Sequence, residues 1–407
     1  MLRLIRAAVI TGIALLVIVV TSSPVWQPRA QATLAPAAAY QFATAARPIT
    51  APQPIVARAA VVATPTIAAR PPATPATLSG PPAGDLGRAA DSYLNDLVGA
   101  NLFQGAVLIA RDGNIILSKG YGAADAGRGI PNTPRTRFRL ASVTKQFTAA
   151  AIMLLQAAGK LDVERSICDY LANCPDGWGA ITVRNLLTHT SGLPNYTDFG
   201  SYEETQMNPA RPDDLVARFR DQPLLFAPGT SYMYENSDYV LLGVIVERVS
   251  GETYADFLRD FIFAPLQMRD SGVAQGTGGA AGEALGYLTA GEPAPPLDTS
   301  TLFSAGSVYS TVEDMYRWDQ ALYGTLLLPA PLLDAMWTPF MNSYGYGWRI
   351  DSVGSHRRIS HSGLMDGFAT SIARFPDDRV TIVVLSNMSA ADVEGISNYL
   401  ASLVLDS

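Results

Sequence analysis

Apolar and polar positions along the chain change period several times, and each change marks an element. Residues 85–97 carry apolar side chains at helical spacing and predict a helix that turns Leu86, Tyr93 and Leu97 inward. Residues 104–110 and 114–120 are strand-like runs joined at Asp112-Gly113, a pair suited to a hairpin turn. From Thr144 to Gln156 the chain is rich in Ala, Leu and Met, with apolar residues on more than one face. That pattern predicts a helix in the middle of a domain rather than on its rim. Residues 182–187 predict another short helix. Strand-like runs return at residues 346–350, 357–361, 367–375 and 380–386, and residues 392–404 predict a closing helix.

Strands at both ends with helices between them predict one α+β domain over residues 85–407. Its antiparallel β-sheet is built from the two ends of the segment and flanked by helices, with a mainly helical subdomain. A domain of this size buries roughly three quarters of the unfolded chain's surface. What precedes it is different in kind. Residues 27–84 are dominated by Ala, Pro and Thr with almost no aromatic side chains, so they predict a disordered, extended linker without a core. Residues 1–26 place Arg3 and Arg6 ahead of the apolar run from Ala7 to Val20, the pattern of an export signal. The segment is either cleaved or kept as a membrane anchor, which would need about 20 apolar residues. Both outcomes put the domain outside the cytoplasm.

Cys168 and Cys174 have five residues between them, and in an exported chain they predict one local disulfide. So small a loop contributes about 2 kcal/mol. Metal ligation by these cysteines is disfavoured, because neither has a histidine at ligand spacing and the chain has only three histidines. A net charge of −7 with no basic stripe excludes nucleic acid as the natural partner.

Against this background Ser142 and Lys145 stand out. Three positions apart at the start of the buried helix, they share a face, and the amine can reach the hydroxyl. A serine needs a neighbour to take its proton, and a lysine can do so only if desolvation or nearby positive charge lowers its pKa. Of the 29 Lys and Arg residues only three are lysines, so this chain uses arginine almost wherever it wants a cation. Proton transfer is the task in which arginine cannot substitute.

Three stretches in order point further: Ser142-Val143-Thr144-Lys145, Tyr234-Glu235-Asn236, and His361-Ser362-Gly363 followed by Gly367-Phe368. With Leu187-Thr188-His189-Thr190-Ser191-Gly192-Leu193-Pro194 and Tyr344-Gly345-Tyr346-Gly347-Trp348, they resemble the serine β-lactamase and penicillin-binding-protein superfamily. The likeness is greatest to the class C β-lactamase-like group, which includes DD-peptidases, D-aminopeptidases and esterases. It implies that Ser142 forms an acyl-enzyme and that Lys145 and Tyr234 move its proton. It also implies that Asn236 binds Lys145 or the substrate amide, and that the main-chain N–H groups of Ser142 and Leu364 hold the oxyanion beside His361 and Gly363. No metal or organic cofactor is implied. The implied partner is a small-molecule or peptide substrate, peptidoglycan among the candidates.

Two departures narrow the substrate. His361 stands where β-lactamases usually have lysine, which removes a fixed cation for a substrate carboxylate, and no equivalent of the class A deacylating glutamate is evident. Glu235 stands where relatives often have serine. Asn236 also suits a helix N-cap. His189 reads as a turn residue and His356 as exposed. A Ser-His-Asp triad through His361 and Asp366 lacks a Gly-x-Ser-x-Gly elbow and leaves Lys145 without a role. The rival from another class is a catalytically silent module that binds peptidoglycan or a β-lactam as a sensor.

Overall fold

The computed structural model describes residues 78–406 apart from Ser79 and Ala280. The signal or anchor at 1–26 and the linker up to residue 77 lie outside the described residues. Order begins before residue 85. Gly80 bridges to Ser118, and the Ala83 N–H donates to Ile116 O at 2.8 Å, leading into helix α1 (Gly84–Gly99).

Two strands follow, β1 (Gly105–Arg111) and β2 (Asn114–Tyr121), and then a 3-10 turn (Ala141–Thr144) that runs into helix α2 (Lys145–Ala157). Helices α3 (Ser237–Ser250) and α4 (Val312–Ala321) belong to the middle of the chain. Strands β3 (Arg349–Val353), β4 (His356–Met365), β5 (Phe368–Phe375) and β6 (Val380–Ser386) come next, and helix α5 (Val393–Leu405) closes the chain. The six strands form one sheet in the order β3-β4-β5-β6-β1-β2. Every neighbouring pair is antiparallel, and β1 pairs with β6 from Gly105↔Ser386 to Arg111↔Val380. The two ends of the domain therefore build a common sheet, as the strand pattern predicts.

Strand β6 is buried at all seven positions, because the sheet is covered on both faces. On one face Val107, Ile109, Ile382 and Val384 pack against Ala90 and Leu94 of α1 and Ile396 and Leu400 of α5. On the other, Leu108, Ile359, Ile372 and Val383 join the core around α2, whose Phe147 lies 4.6 Å from Trp318 and 5.5 Å from Phe263. A buried ion pair ties α4 to the sheet. Arg374 Nε donates to Asp319 Oδ1 at 2.7 Å, with both side chains fully buried.

Several local expectations are corrected. Helix α1 turns Gly87, Ala90 and Leu94 fully inward, leaving Leu86, Tyr93 and Leu97 half-buried. Its small residues let the helix lie close on β2; a Cβ on Gly87 would stand 2.8 Å from Ile116 O. The run at 346–350 becomes strand only from Arg349. Gly347 has φ +76° and rests directly on α2, where a Cβ would come within 2.7 Å of Lys145 O, so the chain turns there. The short helix is Val183–Leu187, and Thr182 is its cap: Oγ1 accepts from Asn185 N while Asn185 Oδ1 accepts from Thr182 N. Cys168 and Cys174 are joined in a disulfide. Among the described residues no helix is long and apolar enough to cross a membrane.

Candidate active site

Ser142 lies in the 3-10 turn ahead of α2 rather than in the first α-helical turn. Ala141 just before it has φ +48°, a strained setting for a residue with a side chain. Three contacts hold that geometry: Leu140 N donates to Val308 O at 2.8 Å, Thr370 Oγ1 to Leu140 O at 2.7 Å, and Val308 N to Thr144 Oγ1 at 3.0 Å. Strand β4 runs alongside. A Cβ on Gly363 would meet Leu140 O at 2.3 Å and Ser142 N at 2.9 Å, so only glycine lets β4 come this close.

Lys145, fully buried in the first turn of α2, directs its amine at three oxygens: Asn236 Oδ1 at 2.8 Å, Ala305 O at 3.0 Å and Ser142 Oγ at 3.1 Å. The first two are acceptors only, so they take two N–H bonds. The serine hydroxyl can donate, and a neutral amine with its lone pair toward Oγ satisfies all three contacts. Burial lowers the Lys145 pKa to about 7, against the opposing pull of Glu235 and Asp238. Asn236 is fixed in that orientation because its Nδ2 donates to Thr197 Oγ1 at 3.1 Å and its main-chain N–H to Asn195 Oδ1 at 3.0 Å. It occupies the N-cap position of α3, yet its side chain makes no capping bond.

Tyr234 lies half-buried, with Lys145 Nζ 4.9 Å from its ring centre and Ser142 beside it. Burial raises its pKa, an effect the neighbouring Ser142 only partly offsets. The phenol is thus the resting form, suited to passing a proton rather than starting as phenolate. His361 is buried; its Nδ1 is 2.6 Å from Ser362 O and its Nε2 is 2.9 Å from Tyr344 OH. That pairing fits a neutral ring protonated at Nδ1 and accepting at Nε2. Burial, with the Lys145 charge nearby, pushes its pKa down to about 3. The third motif carries no cation near neutrality, and with both ring nitrogens engaged His361 has no triad with Asp366.

His189 is corrected more sharply. It is a turn residue, with φ +56°, but it is fully buried with ring centres of Tyr234, Tyr344 and Tyr239 at 4.4, 4.8 and 5.0 Å. His356 is only half-exposed, with Nδ1 2.9 Å from Asp378 Oδ1. Glu235, whose effect the sequence left open, replaces Asn236 as the helix cap: its Oε1 accepts from Asp238 N at 2.7 Å. Burial raises Glu235 to about 7 and Asp238 well above the usual carboxylate range, so the pair keeps a proton near neutrality. By type, His189, Glu235 and Asp238 suit a metal ion, their ligand atoms lying within 4.8 Å of one another. The sealed position leaves no open coordination site for a substrate, and burial favours protons on the carboxyls.

The cleft over Ser142 measures about 260 Å³, and Tyr202, Leu297, Leu302, Leu364 and Asp366 are among its walls. The arrangement can attack a carbonyl with Ser142 Oγ, move the hydroxyl proton to Lys145 and return it through Tyr234.

Comparisons with known proteins bear on the family and the fold. Residues 91–405 match the family model described as Beta-lactamase. PbpX of Bacillus subtilis (strain 168), which carries the name of a penicillin-binding protein, is 34% identical over 306 residues, covering 74% of this chain and 73% of its own. The penicillin-binding protein of Bacillus halodurans superposes with a TM-score of 0.67 at 28% identity, over 77% of this chain and 99% of its own. The D-amino acid amidase of Ochrobactrum anthropi SV3 complexed with D-phenylalanine gives 0.68 at 27% identity, over 79% and 98%.

Proposed function

For a chain that belongs to the β-lactamase family and is a serine hydrolase, we propose an exported enzyme that acylates Ser142 with amides or peptides of D-amino acids, cell-wall peptides included. In the first step Ser142 Oγ adds to the substrate carbonyl as its proton passes to the Lys145 amine. Main-chain N–H groups of Ser142 and Leu364 hold the oxyanion, the largest single contribution expected of such a site. As the carbon–nitrogen bond breaks, Tyr234 gives its proton to the departing nitrogen and is reprotonated from Lys145. Water then attacks the ester, losing its proton along the same path, and the acid leaves with Ser142 restored. The observation that carries this reading is the Lys145 amine, which is fully buried, bonded to two carbonyl-type acceptors, and aimed at Ser142 Oγ 3.1 Å away.

The Cys168–Cys174 disulfide supports a location outside the cytoplasm. The substrate class draws on the D-amino acid amidase likeness and on the neutral third motif, which favours substrates without a carboxylate beside His361. The intact proton path counts against the silent sensor, which has no use for a desolvated lysine. A fluorophosphonate probe tests the proposal: it should label the full chain at Ser142, and Ser142→Ala should lose both labelling and hydrolysis of D-alanyl amides. Labelling elsewhere, or hydrolysis that survives Ser142→Ala, overturns it.

A further inference from the structure

The cleft over Ser142 has one charged side chain among its lining residues, Asp366. Its other walls are apolar or neutral, Leu297, Leu302 and the exposed Leu364 among them. Among the described residues Asp366 has neither a hydrogen-bond nor an ion-pair partner. It occupies the two-residue loop Asp366-Gly367 between the paired residues Met365 and Phe368, which join β4 to β5. The loop is rigidly seated. Gly367 has φ +87°, and a Cβ there would stand 2.7 Å from Gly286 Cα and 3.0 Å from Ala294 Cβ.

We propose that Asp366 is a specificity residue that binds an ammonium group carried next to the scissile carbonyl. The enzyme would then favour amides and N-terminal residues with a free amine over substrates presenting a carboxylate. Reach supports the assignment. Asp366 is two residues beyond Leu364, whose N–H the proposed mechanism assigns to the oxyanion, so the spacing along the chain is at most about 7 Å. An α-ammonium and an Asp side chain each cover roughly 2–3 Å of that gap. The nearby cations leave the carboxylate available. Lys145 is buried beneath the cleft, and Arg139 is bonded to Glu283 at 2.6 Å. Arg349, on β3, lines a separate cleft with Arg358, Asp351 and Glu394, and its charge bears on His361 and Tyr234.

The inference rests on Ser142 being the acylating residue, and the experiment separates the two. Hydrolysis of p-nitrophenyl acetate by the full chain is measured in the presence of D-phenylalaninamide or N-acetyl-D-phenylalaninamide as competing ligand. The free amine should compete about tenfold better, as expected of one charge-assisted hydrogen bond, and the gap should shrink in high salt. Asp366→Asn should close the gap while keeping the turn, since Asn-Gly suits a two-residue hairpin loop as well as Asp-Gly. Equal competition in the native enzyme, no competition by either amide, or a gap that survives Asp366→Asn overturns the assignment. Failure of the fluorophosphonate probe at Ser142 would instead overturn the hydrolase mechanism itself.

Discussion

The Lys145 amine lies closer to Asn236 Oδ1, at 2.8 Å, than to Ser142 Oγ, at 3.1 Å. Asn236 is therefore a fixed acceptor that turns the lysine lone pair toward the serine, and its lack of charge matters as much as its oxygen. Asn236→Asp would put an anion at the same distance and stabilise the ammonium form. Its acylation rate should fall at least tenfold at pH 7, with the rising limb of the pH profile moved upward. Stopped-flow labelling by a fluorophosphonate across pH reads both; an unmoved limb would remove Asn236 from proton control.

Native acylation should rise with pH through about 7, because Lys145 must be neutral to accept a proton and its pKa is lowered to about that value. Glu235 pulls the other way, its negative charge favouring the ammonium. Glu235→Gln removes that charge and keeps an oxygen for the Asp238 N–H, so the limb should move to lower pH with the helix cap retained. A limb displaced upward would show that the carboxyl pair acts on Lys145 by some other route.

Gly363→Ala tests the backbone approach. The new methyl would stand 2.3 Å from Leu140 O and 2.9 Å from Ser142 N, so β4 must retreat from the serine turn. If Ser142 and Leu364 hold the oxyanion, kcat should fall about 100-fold or more, with KM less affected. Circular dichroism should show an unchanged fold. Normal turnover would place the oxyanion elsewhere.

The Asp319–Arg374 pair should dominate a stability comparison. Asp319→Ala leaves a buried guanidinium without its carboxylate and removes the acceptor of Thr381 Oγ1, at a cost of about 3–5 kcal/mol in urea unfolding. Cys168→Ser with Cys174→Ser frees only a short loop and should cost about 2 kcal/mol. A reversed order would mean that the small loop, rather than the sheet-to-helix tie, limits unfolding.

The chain was legible where function is local. Ser142 and Lys145 are three positions apart at the entry to a helix whose burial shows in its composition, and the strand runs at both ends specify a shared sheet. Contacts set by tertiary packing left weaker traces. His189 announced its turn but not its burial, because the tyrosines around it come from two distant stretches, 232–239 and 344. Glu235 gave a readable hint three positions before Asp238, the spacing at which a side chain caps a helix start. On α1 Tyr93 and Leu97 pack against the core as their spacing predicts, but the closest approach is made by Gly87 and Ala90, whose small size carries no hydrophobic signal. Asp366 drew notice only as a triad partner, since its place beside the cleft depends on how the β4–β5 hairpin folds back over Ser142.

The pairing of β1 with β6 joins residue 105 to residue 386, and the serine turn leans on Gly363 and Thr370. The nucleophile, its lysine and its tyrosine are thus all synthesised long before the strands that hold them in register. A nascent chain stays catalytically silent and unfolded until nearly its last residues emerge, a delay expected of so non-local a topology. For the exported enzyme proposed above, that delay leaves time to pass through an export channel before it can acylate anything.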